Sequence, residues 1–345
     1  MTLDKIKTTL QDVARQAGVS LATASRVFNN TAPVSEEVRQ RVLASAASLG
    51  YHSPAPRESS VMRQKGIALL LPDIINPYFT EIVRGAQDEA DFSRFIPILL
   101  DSAEDPQLEK RFLQMLISQA VCGIIVLGTR VPKDELASIL SQINTPTVVI
   151  NACIRLPNVS CIVTELEKAT YRAVHHLLDL GHKRIAFLAG PGTSETSKTR
   201  RRGIEKALGE AGLCLPDELC PSSFPNIDGG FQSMSAVLAL PESRRPTAVI
   251  AHNDLMALGV LHAARMNHLR VPEDLSVIGI DNISMAEHSN PPLTTIAPPK
   301  HRIGRMAMQL LQHMIDGDFL PEEGYTYVDC PLIVRESTSH VANGK

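Results

Sequence analysis

The chain has 345 residues, of which 44% are apolar and 21% charged, and its formal net charge is −3. These values are typical of a globular protein of two or three domains, and they exclude a disordered or fibrous chain. No apolar run approaches the roughly 20 residues of a membrane span, so no membrane partner is expected. The N-terminus lacks the apolar core of a secretory signal, which predicts a cytoplasmic location.

The six cysteines favour reduced thiols over a metal site or a disulfide framework. None of them forms a CxxC pair, and no grouping of Cys and His has the spacing of a zinc site. We therefore expect no metal and no cofactor. The cysteines are Cys122, Cys153, Cys161, Cys214, Cys220 and Cys330.

Charge is distributed unevenly along the chain. Residues 1–65 carry nine Lys and Arg against five Asp and Glu, so the remaining 25 basic and 32 acidic residues give the rest of the chain a net charge of −7. A basic N-terminal region on an acidic body favours a polyanion as its partner. An uneven surface without functional meaning is the alternative.

The first residues contain helical patterns separated by a glycine. Thr8 and Gln11 have the spacing of a capping box, and Gly18 is suited to end this first helix. Ser20 is suited to cap a second helix, and a third helix is expected after Ser35. Two short helices across a tight turn, with a supporting third, are typical of a helix-turn-helix unit.

The second helix has a small, polar and cationic outer face. Arg26 is long enough to reach a guanine, Ser25 and Asn29 can bond bases or phosphates, and Leu21 and Ala22 can pack on thymine methyls. Such a face fits the major groove of DNA. A generic three-helix bundle with a solvated face is the alternative.

From residue 66 onward, short apolar runs alternate with helical patterns. The runs include "GIALLLPD", "CGIIVLG", "RIAFLAG" and "SVIGIDN", and the helical patterns include "YFTEIVRGAQDEADF" and "DLMALGVLHAARMNHL". Alternating strands and helices predict parallel sheets covered by helices on both faces. About 280 residues are too many for a single core, so two lobes are expected.

Polar residues follow many of the predicted strands. Open parallel sheets bind ligands at the carboxyl ends of their strands, and acids and amides there suit a small molecule rich in hydroxyl or amide groups. For any one of these residues, a role in a turn or helix cap is the alternative. The residues are Asp73, Asp101, Thr129, Asn151, Asn253, Asp254, Asp281 and Asn282.

The segments "TLQDVARQAGVSLATASRVFNN" and "VSEEVRQRVLASAASLGY" closely resemble the DNA-binding region of the LacI/GalR family of bacterial transcription regulators. The body is similar to the effector domain of the same family in "PDIINPYFTEIVRGAQDEA", "RPTAVIAHNDLMALGVL" and "VPEDLSVIGIDN". The resemblance implies an all-α helix-turn-helix domain over residues 1–50 and a hinge over 51–66. It also implies an α/β two-lobed body over 67–345, with parallel sheets, like a periplasmic binding protein.

The resemblance further implies a DNA-binding repressor that acts as a homodimer on a near-palindromic double-stranded operator and responds to a small-molecule effector. At the DNA the resemblance implies Leu21, Ala22 and Arg26, and the residue types of the N-terminal region and hinge add Thr9, Ser20, Ser25, Asn29, Arg57, Val61 and Met62. At the effector the resemblance implies Tyr78, Phe79, Arg200, Phe224, Asn253 and Asp281, and the ends of the predicted strands add Asp101, Thr129 and Asn151.

The chain departs from the family pattern at the crossover between the lobes. Thr164 and Glu165 stand where the family usually has Asp-Asn, Ala169 replaces a glycine, and Cys153 follows Asn151 where an arginine is common. We therefore expect an effector other than a standard hexose or purine.

The hinge "YHSPAPRESSVMRQKG" also breaks the family pattern, in which a leucine wedges into the minor groove. A retained but weaker hinge would use Val61 or Met62 as the wedge and would place Arg57 and Arg63 on phosphates. A disordered tether is the alternative.

Two other functional classes fit the sequence less well. An enzyme with an α/β body is opposed because the chain has no GxSxG, GxxxxGK[ST], GxGxxG or HExxH motif. A secreted binding protein is opposed by the missing signal sequence and by the basic N-terminal region. The last residues contain no leucine heptads, which favours a dimer over a tetramer.

Overall fold

The chain divides into two units, Met1–Arg63 and Gln64–Lys345, in the computed structural model. The structure describes residues 8–29, 34–51, 65–92, 94–118, 121–192, 194–317 and 324–341. The predicted hinge residues Arg57, Val61 and Met62 lie outside the described residues.

The N-terminal unit has three helices, which confirms the predicted helix-turn-helix pattern. They are α1 (Leu10–Ala17), α2 (Leu21–Asn29) and α3 (Glu36–Ser48). Val13, Ala24 and Val42, one from each helix, are fully buried in a shared core. Gly18 has φ 64° and so ends α1 in the left-handed conformation that glycine adopts without strain.

The capping box of α1 is shifted by one residue from its predicted position, so the Thr8 and Gln11 prediction is wrong. The backbone N–H and hydroxyl of Thr9 donate to Asp12 Oδ2 at 3.0 and 2.6 Å. The Thr8 hydroxyl instead donates to the Leu49 carbonyl at 3.2 Å, a tertiary partner that local spacing could not show. Ser20 caps α2 as predicted and accepts from the Thr23 N–H at 3.1 Å.

The first lobe of the body is a six-stranded parallel sheet in the order β10-β5-β4-β3-β1-β2. Helices α4 and α12 cover one face of the sheet and share one apolar cluster with it. Helices α5 and α6 cover the other face and share a second apolar cluster. The strands are β1 (Lys65–Leu71), β2 (Phe95–Asp101), β3 (Val121–Val126), β4 (Thr147–Ile150), β5 (Val159–Thr164) and β10 (Tyr325–Val328). The helices are α4 (Pro77–Glu89), α5 (Pro106–Ser118), α6 (Lys133–Leu140) and α12 (Lys300–Asp316).

The second lobe is a five-stranded sheet in the order β11-β9-β8-β7-β6, in which only β11 is antiparallel to its neighbour. Its strands are β6 (Ile185–Leu188), β7 (Ala248–Ala251), β8 (Ser276–Ile280), β9 (Thr294–Ile296) and β11 (Leu332–Ile333). Its helices are α7 (Leu166–Asp179), α8 (Glu195–Glu210), α9 (Ile227–Leu238), α10 (Asp254–Met266) and α11 (Ser284–His288).

The chain passes between the lobes three times within the described residues: after β5, after β9 and after β10. This arrangement confirms the predicted two-lobed body and brings the carboxyl ends of strands from both lobes to one cleft. Among the helices of the described ranges, none has both the length and the apolar character of a membrane span.

Candidate functional site

The outer face of α2 is small and accessible. Leu21 is 49% exposed, and Ala22 and Arg26 are also exposed, whereas Ala24 and Val27 are buried on the opposite side. Because Ala24 and Val27 make the core contacts, the outer face could enter a DNA groove without disturbing the core.

The remaining predicted DNA-contacting residues have more varied environments. Thr9 and Ser20 are the N-caps of α1 and α2, so their hydroxyls already have partners within the unit. Ser25 is half-buried on α2. Asn29 ends α2, and its side chain lies outside the described part of the chain.

A cavity of about 420 Å³, counted with its open mouth, lies between the two lobes of the body. The part of it open to the centre of a water-sized sphere is only about 30 Å³, so the cleft is nearly closed in this structure. Residues from loops and helix starts of both lobes line it: Asn76, Tyr78, Phe79, Leu127, Gly128, Arg130, Asn151, Thr196, Arg200, Pro225, His252, Asn253 and Asp281.

Arg200, in the first half of α8, holds a buried guanidinium against two residues of the same lobe. Its Nη1 donates to the His252 ring, with Nε2 at 2.8 Å, and its Nη2 lies 3.5 Å from Asp281 Oδ1. Burial and the nearby arginine lower the pKa of His252 well below its usual range, so the ring is a neutral acceptor. The ring lies against Gly190, where an added Cβ would come within 2.7 Å of it.

Two buried polar atoms in this cluster lack a hydrogen-bond partner: Arg200 Nε and Asp281 Oδ1. Burial raises the pKa of Asp281 to about 7 although Arg200 and Lys300 both favour its ionised form. Unsatisfied buried polar atoms are rare, and at a cavity they indicate where a ligand can bond. Here a ligand must offer one donor, for Asp281, and one acceptor, for Arg200.

Asp281 follows β8 in a strained turn that is tied to the other lobe. Asp281 and Asn282 have φ of 113° and 49°, which residues with a side chain seldom adopt. Lys300 Nζ, at the start of α12, donates to both of their carbonyls at 2.6 Å. The orientation of Asp281 therefore depends on the packing of the two lobes.

The cleft amides are engaged within the protein. Asn253 Oδ1 caps α10 by accepting from the Met256 N–H at 2.9 Å, and its Nδ2 donates to the Pro225 carbonyl at 2.8 Å. Asn151 Oδ1 accepts from the N–H and hydroxyl of Thr164 at 2.9 and 2.6 Å. The unusual Thr164 thus orients Asn151 at the crossover between the lobes.

Three predicted effector residues do not line the cavity. Asp101 Oδ1 accepts from two backbone N–H groups of neighbouring loops, at 3.2 and 3.1 Å. The Thr129 hydroxyl donates to Glu109 Oε1 at 2.5 Å, and Phe224 is 62% exposed. By contrast, six predicted residues meet at the cavity: Tyr78, Phe79, Asn151, Arg200, Asn253 and Asp281.

Sequence reasoning did not single out two cleft residues, Arg130 and His252. Arg130 is 6% exposed and donates from Nη2 to Glu104 Oε1 at 2.7 Å, while its Nε also bonds Glu104. Each stands directly beside a residue that the strand-end argument had selected. An ionisable residue next to a polar residue at a strand end could have identified both from the sequence.

Comparison with known proteins assigns both units. Residues 9–54 match the bacterial regulatory proteins of the lacI family, and residues 174–338 match the periplasmic binding protein-like domain. The chain is 38% identical over 334 residues to the HTH-type transcriptional repressor CytR of Escherichia coli strain K12. The alignment covers 96% of each chain.

Two solved structures are similar along nearly the whole chain. One is a complex of the transcriptional regulator CelR with cellobiose, 29% identical, with a TM-score of 0.70 and coverage of 96% and 99%. The other is a lac repressor dimer bound to operator and the anti-inducer ONPF, 28% identical, with a TM-score of 0.71 and the same coverage.

Proposed function

Since the chain belongs to the LacI family of bacterial regulatory proteins, we propose that a small polar ligand bound between its lobes controls its affinity for one operator sequence. The chain is a DNA-binding transcription regulator and not an enzyme. A cytoplasmic location is part of the proposal, because the operator is there.

For the DNA contact, Arg26 on the outer face of α2 is the main candidate. A guanidinium can donate two parallel hydrogen bonds to guanine O6 and N7, a pattern that no other base presents. Leu21 and Ala22 would lie on thymine methyls, and Thr9, Ser20, Ser25 and Asn29 near bases or phosphates. Arg57, Val61 and Met62 stay predictions for the hinge.

For the ligand contact, the unpartnered Arg200 Nε and Asp281 Oδ1 are the observation that carries the proposal. A hydroxyl group can donate to Asp281, and a neighbouring hydroxyl can accept from Arg200, so a ligand with adjacent hydroxyls satisfies both. Cellobiose, the ligand of the similar CelR complex, has hydroxyls of this kind. Such a ligand shifts the lobes only through contacts that differ between two states.

A homodimer is proposed through the first lobe. Strand β2 is at the edge of its sheet and exposes Ile96, Ile98 and Leu99. Helix α5, the next element along the chain, exposes Met115 and Ile117. An exposed apolar edge strand invites pairing with another chain. A twofold dimer would cover this edge and would match a near-palindromic operator.

The test begins with selection of bound DNA from random sequence by the full chain, followed by titration of the selected operator. Affinity should fall steeply with salt concentration, because phosphate contacts release counterions. A screen of sugars and nucleosides by thermal shift then supplies ligands for operator release. Arg200→Ala and Asp281→Ala should abolish release and retain operator binding, whereas a salt-independent affinity would contradict DNA binding as the function.

A further inference from the structure

We propose that the interlobe cleft selects an electrically uncharged ligand, because each arginine at the cavity has an acidic side chain of the protein as its partner. The inference rests on the proposed function of the cleft as a ligand site and deepens it by naming the charge class of the ligand. Two ion pairs, one from each lobe, carry the argument.

The pair of the first lobe is Arg130 with Glu104. Both side chains are 7% exposed, and the Nε and Nη2 of Arg130 donate to the two carboxylate oxygens of Glu104. Glu104 has φ 62°, so a strained backbone presents this carboxylate. A second acid, Glu109, accepts from the Arg130 backbone N–H at 2.8 Å, and burial raises its pKa. Arg130 therefore offers the cavity hydrogen-bond donors without net positive charge.

The pair of the second lobe is Arg200 with Asp281, at 3.5 Å and almost completely buried. His252, the remaining titratable group of this lobe at the cavity, stays neutral because its pKa is lowered well below its usual range. Lys300 lies behind Asp281 and is 3.4 Å from Glu81 Oε2. No unmatched cation therefore remains among the described residues that line the cavity.

An anionic ligand would enter this cleft without a countercharge. Taking a phosphate or carboxylate out of water is costly unless a cation pairs with it, and each arginine here already has its partner. A hydroxyl or carbonyl group has no such cost and can bond Arg130, Arg200 Nε and Asp281 Oδ1. The carboxylates of the protein therefore disfavour anionic analogues of an accepted ligand. The cleft gains specificity because binding of the wrong ligand is made unfavourable.

The proposal is tested on the full chain with inorganic phosphate as the probe, at pH 8, where Asp281 is largely ionised. Glu104→Gln and Asp281→Asn each remove one carboxylate and leave an arginine at the cavity unmatched. The matched control is Asp316→Asn, which frees Arg94 at the surface of the first lobe. The melting temperature of the body is measured against phosphate concentration, with sodium chloride holding ionic strength constant.

We expect phosphate to stabilise Glu104→Gln and Asp281→Asn in a saturable manner, and to leave the wild-type protein and Asp316→Asn at the level of the chloride series. A saturable response of the wild-type protein that Arg200→Ala removes would overturn the proposal. An absent response in both cleft variants would also overturn it. Asp281→Asn resembles the protonated carboxyl that burial already favours at this position, so it keeps the test decisive if Glu104→Gln impairs folding.

A second measurement uses matched ligands: galactose with galacturonate, glucose with glucose 6-phosphate, and ribose with ribose 5-phosphate. Calorimetry should give the neutral member the higher affinity in any pair that binds, by about tenfold or more, and the opposite order would contradict the inference. If no member binds or releases the operator, ligand control by this chemistry fails as the proposed function. The phosphate series still decides the charge balance in that case.

Discussion

The DNA-facing helix and the interlobe cleft are built in opposite ways. The outer face of α2 comes from one continuous segment of nine residues, and its side chains extend from an independent core. The cleft combines residues from Asn76 to Asp281, and most of its polar groups are buried and hydrogen-bonded within the protein. A substitution on the outer face of α2 should therefore change DNA affinity alone, whereas a substitution in the cleft should change ligand binding and stability together.

The largest expected difference between the two regions is the loss of stability when a buried charge is removed at the cleft. Glu104→Ala leaves the Arg130 guanidinium buried without its carboxylate, which should cost about 3–5 kcal/mol of body stability. Urea denaturation of the full chain measures the loss. Asp316→Ala removes an exposed partner of Arg94 and should change stability little, because surface pairs are solvated. Equal losses in the two variants would show that the cleft pair has no special role.

The buried acids behind the cleft should make body stability depend on pH. Burial raises the pKa of Asp254 from 3.8 to about 8 and that of Asp281 to about 7. Between about pH 4 and these raised values the folded protein keeps protons that the unfolded chain has lost, so stability declines as pH rises and levels off above about pH 8.

Each acid lowers stability by up to about 1.4 kcal/mol per pH unit between its ordinary pKa and its raised pKa, so between pH 7 and 8 most of the remaining decline comes from Asp254. The groups that face the two acids are Arg200, Lys300, Glu81 and Thr295. Asp254→Asn, which keeps an acceptor for the Ile283 N–H, should flatten the slope of urea midpoint against pH. An unchanged slope would exclude Asp254 as its source.

On α2, Arg26→Ala should weaken binding to the selected operator by about 1–3 kcal/mol. Binding to random DNA should change much less, because that binding rests on phosphates. Fluorescence anisotropy with both DNAs measures the difference, and the melting temperature should stay at the wild-type value. Equal losses on both DNAs would identify Arg26 as a phosphate contact.

The smallest expected effect is at the start of α1. Thr9→Ala removes the hydroxyl of the capping box and should destabilise the N-terminal unit by about 1 kcal/mol. Hydrogen exchange of the α1 amides measures the change. Thr9→Ser keeps the hydroxyl and should behave like the wild-type protein, so faster exchange in both variants would point to lost packing of the threonine methyl.

Local patterns in the sequence determined the elements of both units. Apolar spacing located the three N-terminal helices, and Gly18 marked the turn because glycine alone takes φ 64° without strain. Alternating apolar runs and helical patterns predicted parallel sheets in two lobes. Strand ends led to Asn151, Asn253 and Asp281 at the cleft, because the carboxyl ends of parallel strands share one edge of a sheet.

Only the tertiary structure decided which polar groups are paired and which remain available. Glu104 and Arg130 are 26 positions apart, and Arg200 meets His252 across 52, distances over which sequence spacing has no predictive power. The same reason explains Thr8, whose hydroxyl is taken by the Leu49 carbonyl, and Thr129, whose hydroxyl is taken by Glu109. Residue types indicate which bonds can form, but burial and the folded path of the chain decide which partner is within reach.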